Sequence, residues 1–423
     1  MKKVVLLCSF LTGMLCAEAQ MYPKRDYGKL ANYDESKVPE YVLPDALLCN
    51  DGEVVTTKEQ WEQKRRPEVL QMFTTYMFGK APELKQKLPY KIERISPKAL
   101  DGRATRKEIT LQLTDDPKGP HIDLQIYLPN QVKGKVPVFL GLSFMPNFTI
   151  YDDPELTAPE MEGPDKKKRS IRGFMSKSWQ LDELLKRGYG LATFCYNDVD
   201  PDFDDDFQNG VHPYYYKKNQ HYPAPDEWGS IAAWAWGLSR AMDYLETDPD
   251  VDAGKVAVMG HSRLGKAAVW AGAADTRFAL VISANSGCCG VAISRRAFGE
   301  TVEAMNISFP HWFCSNYKQF NDRERYMPFD QHQLVALVAP RPIYIASAED
   351  DNWSDQRGEF LGGKGAESVY ALYGLPGIGT EEMPPLDTPF MDGPIAYHIR
   401  KGPHAVLPFD WEQFLTFADR YLK

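Results

Sequence analysis

Residues 255–270 read KVAVMGHSRLGKAAVW: a β-branched run, a glycine, Ser262 held between His261 and Arg263, a second glycine, and a helical run. A strand that turns sharply into a helix projects the corner residue away from both elements. Gly260 lets the chain bend tightly, and Gly265 lets the new helix lie close to the strand. The helix also aims backbone N–H groups at the corner, where an oxyanion can be held. A serine placed there reads as a nucleophile. Its spacing, G-H-S-R-L-G, is one residue longer than the usual G-x-S-x-G, and the competing reading is an N-cap serine after a strand.

A serine hydroxyl needs an imidazole to take its proton, and the imidazole needs an acid to orient it. Both follow downstream, in the order serine, acid, histidine that α/β-hydrolases use. PIYIASAEDDNWSD (342–355) ends a strand in Glu349, Asp350 and Asp351. AYHIRKGPHAVLP (396–408) ends the next strand in a loop bearing His404, whereas His398 lies inside that strand and reads as structural.

Around these motifs the hydrophobic pattern alternates between two periods. Residues 57–79 fit an amphipathic helix stopped by Gly79. RKEITLQLT and HIDLQIYLP, split by a Pro- and Gly-containing turn, predict an antiparallel hairpin, and VPVFLGLSF (136–144) a strand buried on both faces. From residue 178 onward, strands alternate with helices up to a final amphipathic helix, DWEQFLTFADRYL. The fold expected is α/β, of α/β-hydrolase type: a mainly parallel sheet with an antiparallel N-terminal hairpin and helices on both faces. One catalytic domain is expected over 57–423, with an extended arm over 20–56. A polar, Pro-containing surface insertion is expected near 151–175, and its KKKR run reads as a solvated loop.

The first nineteen residues stand apart. MKK, an apolar core too short to span a bilayer with ease, and AEA before Gln20 form a secretory signal with cleavage after Ala19. The protein is therefore expected to be exported, to the periplasm or beyond the cell, with no membrane span. About 400 residues then remain, enough for one large α/β domain. Fifty-eight acidic against forty-nine basic residues, a formal net charge of −9, argue against nucleic acid as a partner. Cys49, Cys195, Cys288, Cys289 and Cys314 are odd in number and show no zinc-type spacing, so they read as mostly buried thiols. No metal or cofactor motif is visible.

GHSRLGKAAVWAG resembles the nucleophile motif of the glucuronoyl esterases, α/β-hydrolases that cleave esters between glucuronic acid on xylan and alcohols of lignin. The resemblance runs on through SFPHWFCSNY, the EDDNWSD segment and KGPHAV. It implies Ser262 as nucleophile, His404 as base and Arg263 as an oxyanion ligand. It also implies Lys266 on sugar hydroxyls and Trp353 beside the sugar ring. Glu300 and His311 are the candidates for its remaining sugar contacts. Fungal members place their acid in a turn that here reads ANSGCCG, with Asn285 in its place. An amide cannot balance an imidazolium, so the acid is expected from the other loop, as Asp351 ahead of Glu349 and Asp350. A disulfide that flanks nucleophile and base in the fungal members is replaced by His261 and Ala405. Asn147 is followed by Phe148 near the expected mouth of the site, where relatives carry Asn-His.

The expected function is a serine esterase acting on (4-O-methyl-)glucuronoyl esters of plant cell-wall glucuronoxylan, or a related uronate ester, without a cofactor. The alternatives are an acetyl (xylan) esterase on the same fold and a catalytically silent carbohydrate-binding relative.

Overall fold

The computed structural model describes residues 30–84, 87–162, 166 and 168–423. The expected signal peptide and Lys167 of the basic run lie outside the described residues. Three strands come first: β1 (Tyr90–Ala99), β2 (Ala104–Gln112) and β3 (His121–Pro129). They form an antiparallel meander, so the expected hairpin is β2–β3, joined by an outer strand that sequence reading did not anticipate. β1 is YKIERISPKA, exposed at eight of its ten positions, so its apolar residues carry no core pattern. It is an edge strand, bulged at two places.

β4 (Val136–Ser143), β7 (Gly190–Cys195), β8 (Val251–His261), β9 (Leu280–Ala284), β10 (Ile343–Ala348) and β11 (Ile395–Arg400) are mutually parallel. The nine-stranded order is β1-β2-β3-β7-β4-β8-β9-β10-β11. β7, β9, β10 and β11 are buried at every residue, as strands covered on both faces must be. One face packs against the helices Ser230–Leu245, Arg263–Ala274 and Gln356–Ala371, with Trp234, Trp270 and Phe360 in that core. The other packs against Pro408–Tyr421 and the helices around Trp179.

The insertion after β4 carries a small exposed hairpin, β5 (Glu160–Glu162) with β6 (Lys168–Ser170). Its root is not on the surface. Asp153 is fully buried, pairs with Arg106 on β2 and accepts a hydrogen bond from Tyr127 on β3 at 3.0 Å. All five cysteines of the described residues are unpaired and buried.

Candidate active site

β8 delivers Ser262 to the carboxyl end of the parallel sheet, where α/β folds place their ligands. At the turn Ser262 adopts φ 59°, ψ −131°, outside the regions a serine prefers. Its amide donates to the Ala284 carbonyl of β9 at 2.9 Å, which pins the corner to the sheet. A side chain at Gly260 would put its Cβ 2.0 Å from the Leu264 carbonyl oxygen, so only glycine permits so tight a corner. The Ser262 carbonyl accepts from the amides of Gly265 and Lys266, while the Leu264 amide, in the first turn, has no intrahelical acceptor.

His404 comes from the loop after β11. Its Nδ1 lies 2.5 Å from Oδ2 of Asp351, at the end of β10. With Nδ1 facing a carboxylate, the neutral ring carries its proton there and leaves Nε2 as the acceptor. Of the three acids in that loop, Glu349 and Asp350 are exposed, and Asp351 is the one turned to His404. Burial raises the Asp351 pKa, but the bond and charge of His404 and hydrogen bonds from Ser354 outweigh it and hold it below its ordinary value. Asn285 donates from Nδ2 to the same Asp351 oxygen at 3.2 Å.

The base loop is gripped from below. The Arg400 guanidinium donates to the carbonyls of Lys401, Pro403 and Ala405 on either side of His404, and its Nε bonds Asp410 at 2.7 Å. His398 also bonds Asp410, at 2.8 Å, from inside β11. His261 packs its ring against that of His404, centroids 4.5 Å apart, in place of a covalent link. Burial first, then the charges of His404, Arg400 and Arg263, push the His261 pKa well below its ordinary value, so it stays neutral beside the base.

Arg263 pairs with Asp202 and lies among Phe144, Phe309 and Trp312, with the Trp312 centroid 5.0 Å from its guanidinium carbon. Asp202 also accepts from His311 Nε2 at 2.9 Å, Trp312 Nε1 at 2.8 Å and the Tyr196 hydroxyl at 3.0 Å. Burial opposes its charge, yet Arg263, His311 and Trp312 hold it well below the usual carboxylate range. Sequence reading missed Asp202, because PDFDDD looks like a solvated acidic turn. Of the candidate sugar contacts, His311 is buried, with its Nε2 bonded to Asp202.

Lys266 is also buried. Its ammonium donates to the carbonyls of Ser286 and Cys288 and to Glu300 Oε2, each at 2.6 Å. All three N–H donors are used, so a sugar hydroxyl would have to displace one of them. Burial raises the Glu300 pKa, against the opposing pull of Lys266. Trp353 is half-buried, and its carbonyl accepts from the Glu300 amide at 2.8 Å, which joins the Asp351 loop to the Lys266–Glu300 pair. The Asn147 side chain donates to the Asp123 carbonyl and accepts from the Thr193 hydroxyl at 3.0 Å. Among the described residues no group of three or more His, Cys, Asp or Glu is arranged to hold a metal ion, and no helix is long and apolar enough to cross a membrane.

The sheet order and the elbow at its carboxyl edge define an α/β-hydrolase. Comparison with known proteins narrows this. The family described as "Glucuronyl esterase, fungi" matches residues 174–374. "Carbohydrate esterase MZ0003", from an unknown prokaryotic organism, is 48% identical over 400 residues, covering 92% of each chain. The structure of "Glucuronoyl Esterase from Solibacter usitatus" superposes with a TM-score of 0.87 at 48% identity, over 92% of this chain and 100% of that one. A "promiscuous CE15 esterase from the marine bacterial metagenome" gives 0.84 at 48% identity, with the same 92% and 100% coverage. The chain belongs to the CE15 glucuronoyl esterases, a family of carboxylic ester hydrolases.

Proposed function

We propose that the protein is an exported serine esterase that hydrolyses esters of 4-O-methyl-glucuronic acid, such as those joining glucuronoxylan to lignin alcohols. The observation that carries the reading is the His404–Asp351 pair, closed at 2.5 Å, with the His404 ring against that of His261, the residue before Ser262. Ser262 Oγ attacks the ester carbonyl carbon while His404 Nε2 takes its proton, and Asp351 balances the imidazolium. The Leu264 amide and the Arg263 side hold the oxyanion of the tetrahedral intermediate. Collapse breaks the ester bond, and His404 returns the proton to the departing alcohol. Water, deprotonated by His404, then cleaves the acyl-enzyme and releases the uronic acid.

Glu300 and Trp353 are the residues we assign to the sugar, with Lys266 holding Glu300 in place. Export rests on the segment 1–19, and a single catalytic domain over 57–423 on the continuity of the motifs. A second reading, acetyl ester hydrolysis, is favoured by the commitment of all three Lys266 donors to protein acceptors. Hydrolysis of benzyl glucuronate, measured beside 4-nitrophenyl acetate and acetylated xylan, separates the two. Turnover of the glucuronate ester that vanishes in Ser262→Ala supports the first reading, and turnover of acetyl esters alone replaces it with the second.

A further inference from the structure

The arm that precedes the catalytic domain reaches the candidate site. Asn32 pairs with Gly299 as an isolated antiparallel bridge, the Gly299 amide donating to the Asn32 carbonyl at 2.7 Å. Gly299, at φ 61°, is pressed from the other side against the Trp353 loop, where a Cβ would lie 2.3 Å from the Trp353 carbonyl oxygen. Beyond the bridge, Glu35 bonds Arg296 at 2.8 Å and Arg357 at 3.0 Å. The segments it ties down are those that carry Glu300 and Trp353.

Between these anchors the chain turns. The Asn32 side chain accepts from the Asp34 amide at 3.0 Å, and Tyr33 stands at the apex. Its ring meets Phe298 edge-on, centroids 6.5 Å apart, and the residue is 51% exposed. Burial first, then the charges of Glu300 and Asp351, push the Tyr33 phenol above its ordinary value. An aromatic ring backed by another ring, with its backbone pinned on both sides and a face left open, is what a pyranose stacks on.

We propose that the arm completes the substrate site and that Tyr33 offers its ring to a pyranose of the substrate beside Glu300 and Trp353. This rests on the glucuronate-ester reading above. The sugar is either the uronate itself or the xylose that bears it, and both present the same C–H face. The test is steady-state kinetics on benzyl glucuronate, on an ester of a glucuronoxylo-oligosaccharide and on 4-nitrophenyl acetate. Tyr33→Ala should raise KM for the sugar esters roughly five- to tenfold, with a smaller effect on the acetate, which has no ring to stack. Tyr33→Phe should recover most of that KM. Glu35→Ala, which loosens the arm without touching the ring, should move KM in the same direction. An effect on both sugar esters identifies the uronate as the stacked ring, and an effect confined to the oligosaccharide identifies the xylose. Unchanged KM in Tyr33→Ala, or an equal loss on all three substrates, overturns the inference and leaves the esterase reading intact. A wild-type protein that fails to hydrolyse benzyl glucuronate overturns both.

Discussion

Arg263 and Lys266 leave the same helix one turn apart, yet they are spent differently. Arg263 keeps 29% of its side chain exposed and pairs with the Asp202 carboxylate, to which His311, Trp312 and Tyr196 also donate. Lys266 is 2% exposed and closes a cross-link between the Ser286–Cys288 turn and Glu300. A charge held at the edge of solvent by a buried counter-ion can turn part of itself to a ligand. A charge whose every donor is used inside the protein chiefly shapes its surroundings. On the mechanism proposed above, the pair separates two jobs that the sequence motif writes side by side: Arg263 for charge that develops in the reaction, Lys266 for the architecture beneath it.

The largest effect lies at the corner residue immediately before the first of these cations. Ser262→Ala should cost about 10⁶-fold in kcat, with thermal unfolding little changed. Asp351→Asn should cost roughly 10²–10⁴-fold, because an amide cannot balance the imidazolium; kcat on the glucuronate ester reads it. The cations themselves come next and should part company. Arg263→Lys, which leaves Asp202 a charged partner, should lower kcat roughly 10- to 100-fold with little loss of stability. Lys266→Met should destabilise by about 3–5 kcal/mol in urea unfolding by stranding Glu300, and Lys266→Met with Glu300→Gln should regain part of it. If both single variants lose activity without losing stability, the division of labour is wrong.

The smallest effect is read in pH. Glu359 lies beneath the same turn, accepting from the Gly287 amide at 3.0 Å, with Ser347 Oγ at 2.6 Å. Burial pushes its pKa up to about 8, above the ordinary glutamate value of 4.5. The folded state therefore binds a proton that the unfolded state has lost, and the slope of stability is negative across that window. Its contribution is full below pH 4.5 and is lost as pH rises toward 8. Glu359→Gln, neutral throughout, should raise the melting temperature relative to wild type by roughly a few °C at pH 8 and by less at pH 5.

Ser262 and His404 were legible because their signals are local. A strand, a glycine, a serine and a helix lie within a few residues, and the base follows a short apolar strand. β1 was not, because an edge strand exposed at eight of ten positions has no buried face to print a period on its sequence. Asp202 was hidden in an acidic run, since a buried carboxylate and a solvated one are written with the same letter. Asn285 was read as a missing acid, and its hydrogen bond to Asp351 appears only once β9 and β10 lie side by side.

By itself, then, the sequence determined the alternation of strand and helix, the sharp corner at Ser262 and the order of its partners, because steric rules and hydrophobic periods act between near neighbours. Tertiary structure alone decided which of three successive acids meets His404. It also decided which cation is buried, and that the arm is tied to the segments carrying Glu300 and Trp353. Those outcomes depend on distances between residues far apart in the chain, and on the free energy of burying charge, which has no local signature.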